Sequence, residues 1–380
     1  MHSAVPGPDV TIGRSLLREL ARGGDLISSG WTAAALGALA VALIVVAVLR
    51  RRRRRRSWPW GWGAGLATVL ALAVTANAVA GYIPNVQSLQ TTLSGWGLAP
   101  APRLSHGTAK PVPAGPGQGA AQAFSVPAPD SLAMPTDAVT WVYTPPGYDP
   151  AGSTRYPVVY LVHGSPGASG DWFAAGDVPH AMDVLIKAGL VRPMIVVSAD
   201  VNGTGPSDRD TECLDSTTGG SKVETFLTTV LVPWVDARFA TATDSAHRVL
   251  GGFSSGGFCA LDQGLRHPDL WGTVLALDPY PSPGSGGTAM LATHAQWLTH
   301  DVSTYAATMT VDPNQHVFIG VPAGSQMPAV KAVRAAAQTL LDRGGDVVLD
   351  EVVGVGHTWT MARFTLPYAL VWANGRMPTG

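Results

Sequence analysis

The chain has 380 residues, 46% of them hydrophobic, and a formal net charge of -1. That length and apolar content exclude a wholly disordered chain and allow one large domain with accessory segments. The small net charge hides an asymmetry: Arg50 to Arg56 form one run of seven positives, which leaves -8 on the remainder. A mainly acidic remainder argues against a nucleic-acid partner.

Residues 1–30 precede an almost uninterrupted apolar run, Trp31 to Leu49. At about 1.5 Å per helical residue it reaches roughly 28 Å, the thickness of a bilayer core. A second apolar stretch, Trp60 to Ile83, is rich in Gly and Ala and opens with Trp58, Trp60 and Trp62, where an interfacial aromatic belt would sit. Two transmembrane helices are therefore expected over 31–83, joined by an arginine loop at 50–56. The positive-inside rule keeps that loop in the cytoplasm, so residues 1–30 and everything after Ile83 should lie outside a cell membrane crossed twice. Ala76-Asn77-Ala78-Val79-Ala80 has signal-peptidase spacing, but the apolar region is long for a cleaved signal, and retention in the membrane is the expectation.

Residues 84–123 are rich in Pro, Gly, Ala and Ser, including Pro111-Val112-Pro113, and read as a linker that would hold the following domain off the membrane. From residue 124 to 380 short β-rich runs alternate with helical stretches. Strands are expected at Val139 to Tyr143, Val158 to Val162, Met194 to Ser198, Arg248 to Phe253, Thr273 to Leu277, Val317 to Gly320 and Val347 to Val353. Helices are expected at His180 to Ala188, Lys222 to Phe239, Ser255 to Arg266 and Met327 to Arg343. Such alternation implies an α/β fold, a largely parallel sheet covered by helices on both faces. Cys213 and Cys259 are the two cysteines; an oxidising exterior would permit a bridge, and a buried free thiol is the other reading.

The strand Arg248 to Phe253 runs into Gly252-Phe253-Ser254-Ser255-Gly256, followed at once by helix-compatible sequence. This is the pattern of a nucleophile elbow, which lifts a serine hydroxyl clear of the sheet. Acyl transfer through Ser254 needs a base, and His357 in Gly354-Val355-Gly356-His357-Thr358-Trp359 follows the last strand, in the chain order of an α/β-hydrolase. The other histidines are less well placed: His267 would close the elbow helix, and His294, His300 and His316 fall in loops or a strand start. One oxyanion donor is expected from the backbone N–H of Ser255. The other should come from Leu161-Val162-His163-Gly164-Ser165, where Pro166 has no N–H and Ser165 is favoured. His163 is read as structural, shaping that turn through its ring.

His163-Gly164, Gly252-x-Ser254-x-Gly256 and Gly356-His357-x-Trp359 resemble the esterase D family of α/β-hydrolases, which includes enterochelin esterases and antigen 85 mycolyltransferases. The likeness spans roughly Ser125 to Ala373. It implies an α/β sandwich without a large lid, with Ser254 as nucleophile, His357 as general base, and the amides of Ser165 and Ser255 as oxyanion donors. The chain departs from the family at the acid. The stretch after the seventh hydrolase strand, Gly320 to Leu341, has no carboxylate. Asp278 replaces it in this reading, because it ends the strand Thr273 to Leu277 and the carboxyl ends of parallel strands open onto the catalytic face. Asp301, Asp312 and a Ser-His dyad aided by a carbonyl stay open.

Asp208, Asp210, Glu212 and Asp215 crowd one polar stretch without the order of a calcium loop. A solvated or salt-bridged loop is the expectation, with the rim of the cleft as its other setting. Trp172 and Trp359 suit an acyl pocket or the core equally. No metal and no cofactor is called for. The function expected is a membrane-anchored, extracytoplasmic serine esterase acting through an acyl-enzyme on a carboxylic ester, an acyl or aminoacyl lipid among them. Alternatives are an acyltransferase of the mycolyltransferase type and a non-catalytic domain that binds cell-wall or other ligands. A peptidase lacks a pocket signature, and a dehydrogenase would want G-x-G-x-x-G after the first strand.

Overall fold

The structure, a computed structural model, describes residues 5–21, 29–83, 115, 117–136, 138–204 and 210–378, with residues 89 and 93 and the backbone of 104–105. Most of the 84–123 stretch, together with Asp208 and Arg209, thus lies outside the described residues.

The strands are β1 Leu104–Ser105, β2 Ala120–Ser125, β3 Val139–Thr144, β4 Val158–Val162, β5 Ile195–Ala199, β6 Arg248–Phe253, β7 Thr273–Leu277, β8 His316–Pro322 and β9 Asp346–Val352. They form one sheet in the order β1-β2-β3-β5-β4-β6-β7-β8-β9. Every pairing from β5 through β9 is parallel, and β3 runs antiparallel to both β2 and β5. The expected bounds of β4, β6, β7 and the helix Ser255–Arg266 coincide with those observed. β2 starts inside the stretch expected to be linker, because its Ala-rich sequence carries little strand propensity and its order comes from pairing with β3.

The central strands are buried on both faces. In β4, Val158, Tyr160 and Val162 belong to the same hydrophobic cluster as Leu261 and Leu265 of the elbow helix and Val333 and Leu340 of Pro328–Asp342. Val159 and Leu161 belong to the cluster on the other face, with Met182 and Leu185 of Val178–Lys187 and Leu366 and Leu370 of Trp359–Arg376. This period-two division explains why the sequence reads as an unbroken apolar run. Each fully buried Val or Leu contributes roughly 1.5–3 kcal/mol. The helix expected from Lys222 to Phe239 starts at Val223 and is widened to a π-turn at Phe226–Leu231, ahead of Val232–Arg238. Pro233 lacks an N–H and would clash with the carbonyl of a regular turn, and the wider turn accommodates it.

Two long apolar helices precede the sheet: α2 Gly30–Arg52 and α3 Trp58–Ala80. They pack side by side, and both are long and apolar enough to cross a membrane. Their large side chains, among them Val41, Ile44, Val45, Leu66, Val69 and Leu72, face outward. An amphipathic helix of a soluble core would bury such a face. Ahead of them lies a short helix, α1 Arg14–Ala21, in the segment for which the sequence reading gave no element. Residues 5–21 lie on the sheet domain. Leu349 N–H of β9 donates to Pro6 O (2.8 Å), His180 bonds Glu19 O (3.0 Å), and Leu16 and Leu20 pack on the core.

Cys213 and Cys259 form a disulfide across 46 residues, tying the loop before Val223 to the elbow helix. Closing a loop of that length removes about 4 kcal/mol of unfolded-chain entropy. Replacing both cysteines by alanine should lower the melting temperature of the detergent-solubilised chain by about 10 °C. A variant melting with the parent would show that the bridge does not stabilise the fold.

Candidate active site

β6 delivers the chain into Ser254 at φ 60° and ψ -120°, a backbone conformation that costs a non-glycine residue about 1–3 kcal/mol. Ser254 N–H donates to Leu277 O (3.0 Å), and Phe258 N–H donates to Ser254 O (2.9 Å), so the flanking strand and helix hold the strained residue. The two glycines of the motif are required by close approach. A Cβ at Gly252 would lie 2.0 Å from Gly256 O, and one at Gly256 would lie 2.2 Å from Val162 O.

At the raised position, Ser254 Oγ lies 2.9 Å from His357 Nε2, and His357 Nδ1 lies 2.6 Å from Asp278 Oδ2. A proton on Nδ1 facing the carboxylate leaves Nε2 to accept from the serine hydroxyl. Asp278 is 4% exposed at the end of β7, and its N–H donates to Gly320 O (2.7 Å). Phe253 stacks on the imidazole at 5.0 Å and 27°, which restricts the ring's rotation. The His357 side chain is nevertheless 51% exposed, so the site is open. Asp301 and Asp312 serve their own turns, accepting from Ser303 N–H and Asn314 N–H. His267, His300 and His316 pair with Glu224, Asp262 and Asp346.

Ser255 is the first residue of the elbow helix, where a backbone N–H has no intrahelical acceptor. Ser165 lies across the cleft beside Gly164 and Pro166. His163 Nε2 lies 3.1 Å from Val201 N and Nδ1 lies 2.9 Å from Gly164 O, so this buried ring fixes the turn; burial lowers its pKa, and the neighbouring Asp200 carboxylate more than offsets that and raises it. Behind the two serines sits a residue the sequence reading left in its polar loop. The Ser255 hydroxyl donates to Asp210 Oδ1 (2.9 Å), and the Ser165 hydroxyl bonds the same carboxyl, whose pKa burial pushes up.

Glu212 and Asp215 of that loop are also turned inward, which corrects, for the described residues, the expectation of a solvated or salt-bridged segment. Glu212 is 2% exposed and accepts from Tyr280 Oη (2.8 Å), Gly284 N–H (2.9 Å) and Gly287 N–H (2.8 Å). Asp215 accepts from Thr225 N–H (3.0 Å) at the start of the Val223 helix. Among the described residues no group of three His, Cys, Asp or Glu is arranged to hold a metal ion. Only the charge density of 208–215 signalled the loop; its burial comes from 280–287, distant in the chain.

A cavity of about 230 Å³ opens over Ser254 and His357. Phe253, Pro166 and Trp359 form apolar walls, and Ala80 and Tyr82 complete it from outside the sheet domain. Trp359 serves both readings offered by the sequence, since it lines the cavity and packs edge-on against Trp172 at 5.1 Å. Trp172 belongs to the core; it is fully buried, with its indole N–H donating to Val162 O (2.8 Å).

A family model described as Esterase matches residues 131–361. An uncharacterised protein of Corynebacterium glutamicum is 25% identical over 247 residues, 62% of this chain and 57% of that protein. An esterase of Mycobacterium tuberculosis is 32% identical over 155 residues, 40% of this chain and 31% of the relative. The matches thus span little more than half of one relative and under a third of the other. Among solved structures, a ferulic acid esterase superposes with a TM-score of 0.57 at 20% identity, covering 68% of this chain and 98% of that one. An S-formylglutathione hydrolase from Agrobacterium tumefaciens gives 0.56 at 17% identity, covering 69% and 96%. These two likenesses establish an α/β-hydrolase fold.

Burial, and then the neighbouring Asp210, push the Glu212 carboxyl from 4.5 up to about 7, against the opposing pull of its three donors. A carboxyl raised on folding favours the folded state when protonated, so its contribution is complete below about pH 4.5 and lost as pH rises toward 7. Unfolding free energy should fall by roughly 2–3 kcal/mol across that window, and Glu212→Gln should flatten the dependence. Denaturant titrations of the solubilised chain at pH 5 and pH 8 measure this. An equal slope in the variant would refute the assignment.

Proposed function

The chain belongs to the esterase family, and we propose that it is a carboxylic ester hydrolase, a membrane-anchored serine esterase whose acyl-enzyme forms at Ser254. The observation that carries this reading is the continuous path from Ser254 Oγ through the His357 ring to Asp278, at 2.9 Å and 2.6 Å. In the proposed reaction Ser254 Oγ attacks the ester carbonyl as His357 Nε2 takes its proton. Asp278 holds the tautomer and stabilises the imidazolium. The backbone N–H groups of Ser165 and Ser255 receive the developing oxyanion, with Asp210 holding the hydroxyls of both residues. His357 then protonates the departing alcohol, and water activated by the same imidazole releases the acid.

The organisation we infer is an outer segment 1–30, two spans within 31–83 around the arginine loop, and a catalytic domain whose sheet takes β1 and β2 from the stretch expected to be linker. Three features support an extracytoplasmic domain. The arginine run lies at the end of the α2–α3 hairpin, residues 5–21 pack on the same domain that follows α3, and the disulfide suits an oxidising compartment. A domain beside a bilayer meets esters of acyl or aminoacyl lipids, and these are the proposed substrates. Half-exposure of His357 favours a second reading, acyl transfer, since an acceptor alcohol could approach where water does. Analysing products with and without added glycerol separates them: a new ester signals transfer, and free acid alone signals hydrolysis.

Ser254→Ala should abolish both fluorophosphonate labelling and turnover of 4-nitrophenyl acetate. Asp278→Asn should keep labelling detectable while lowering kcat by roughly 10³–10⁴, because the amide orients the wrong tautomer. Unchanged turnover and pH profile in Asp278→Asn would remove it from the mechanism.

A further inference from the structure

The cleft is not built by the hydrolase domain alone. Ala80, the last residue of α3, and Tyr82, just beyond it, line the same cavity as Ser254 and His357. We propose that the end of α3 is a substrate subsite, and that Ala80 and Tyr82 receive the apolar chain of an ester held in the bilayer. This deepens the esterase reading and rests on it.

Bonds to both catalytic walls fix the helix end. Gly81 closes α3 at φ 68°, and a Cβ there would lie 2.2 Å from Thr360 Oγ1, so the helix end abuts the first turn after His357. Arg363 Nη1 donates to Gly81 O (2.8 Å) and also to Ala175 O (2.7 Å). Tyr82 Oη donates to Asp171 Oδ1 (2.7 Å), while Asp171 Oδ2 accepts from Ala168 N–H (3.0 Å), three residues past Ser165. Asn77 closes the turn through both Ile83 N–H and Ile83 O at 2.7 Å. All these attachments precede residue 84.

The consequence concerns substrate class. If α3 spans the bilayer, its end is the level at which the hydrocarbon meets water, and Ala80 and Tyr82 bring the cavity to that level. The apolar part of the lining is Ala80, the Tyr82 ring, Pro166, Phe253 and Trp359, surfaces an alkyl chain can contact beside the serine. A soluble short-chain ester gains nothing from this path. A lipid-borne ester gains with each buried methylene, by about fourfold at the usual transfer value.

The test uses the full chain in phosphatidylcholine nanodiscs, with active sites counted by fluorophosphonate labelling. The palmitate and acetate esters of 4-nitrophenol are the probes. Wild type should hydrolyse the palmitate ester with a kcat/KM at least about tenfold above the acetate ester. Ala80→Trp, which fills the subsite, and Tyr82→Ala, which removes one wall, should each cut that ratio by about tenfold per labelled site. A ratio unmoved by both variants, or an acetate preference in wild type, would overturn the subsite while leaving the esterase intact. No labelling and no hydrolysis of either ester in wild type would overturn the esterase reading and the subsite with it.

Discussion

The fold converges on one backbone conformation, the positive φ of Ser254. It is tolerated because β7 and the elbow helix each bond it, and because Gly252 and Gly256 let carbonyl groups come closer than any side chain would permit. Buried side chains on both faces of the sheet make those neighbours rigid. The serine hydroxyl is consequently held 2.9 Å from His357 Nε2, which on the mechanism proposed is the condition for activating a weak nucleophile.

Around this point the charges are divided by burial. Asp278 ends a parallel strand and faces the half-exposed imidazole, whereas Asp210 and Glu212 lie on the side of Ser255, in contact with Ser255, Tyr280 and the 284–287 turn. On the mechanism proposed, two acidic groups beneath a site that stabilises negative charge would oppose the reaction if both were ionised. Burial raises the pKa of each, which lessens that opposition.

What could be read from sequence followed from locality. β4, β6 and β7 announce themselves as short apolar runs, and the serine and histidine are flagged by glycines beside them. Asp278 was reachable through a topological rule, that parallel strands open their carboxyl ends on the catalytic face. Asp210 was not. A carboxylate in a polar loop looks solvated until residues seventy positions later in the chain cover it. Nor were Ala80 and Tyr82, whose place in the cleft depends on Thr360 and Arg363 at the opposite end of the sequence. α1 escaped notice because a helix of eight residues has little order of its own and borrows it from the domain on which it lies.

That borrowed order bears on biogenesis. Pro6 accepts its bond from Leu349, so a segment made before α2 finds its partner only when the ninth strand has been made. On the topology proposed, that segment must cross the membrane, wait until β9 has followed it, and then dock on a sheet edge. The early chain thus acts as a clasp fastened last, and until it closes the flank of β9 is open to pairing with other chains.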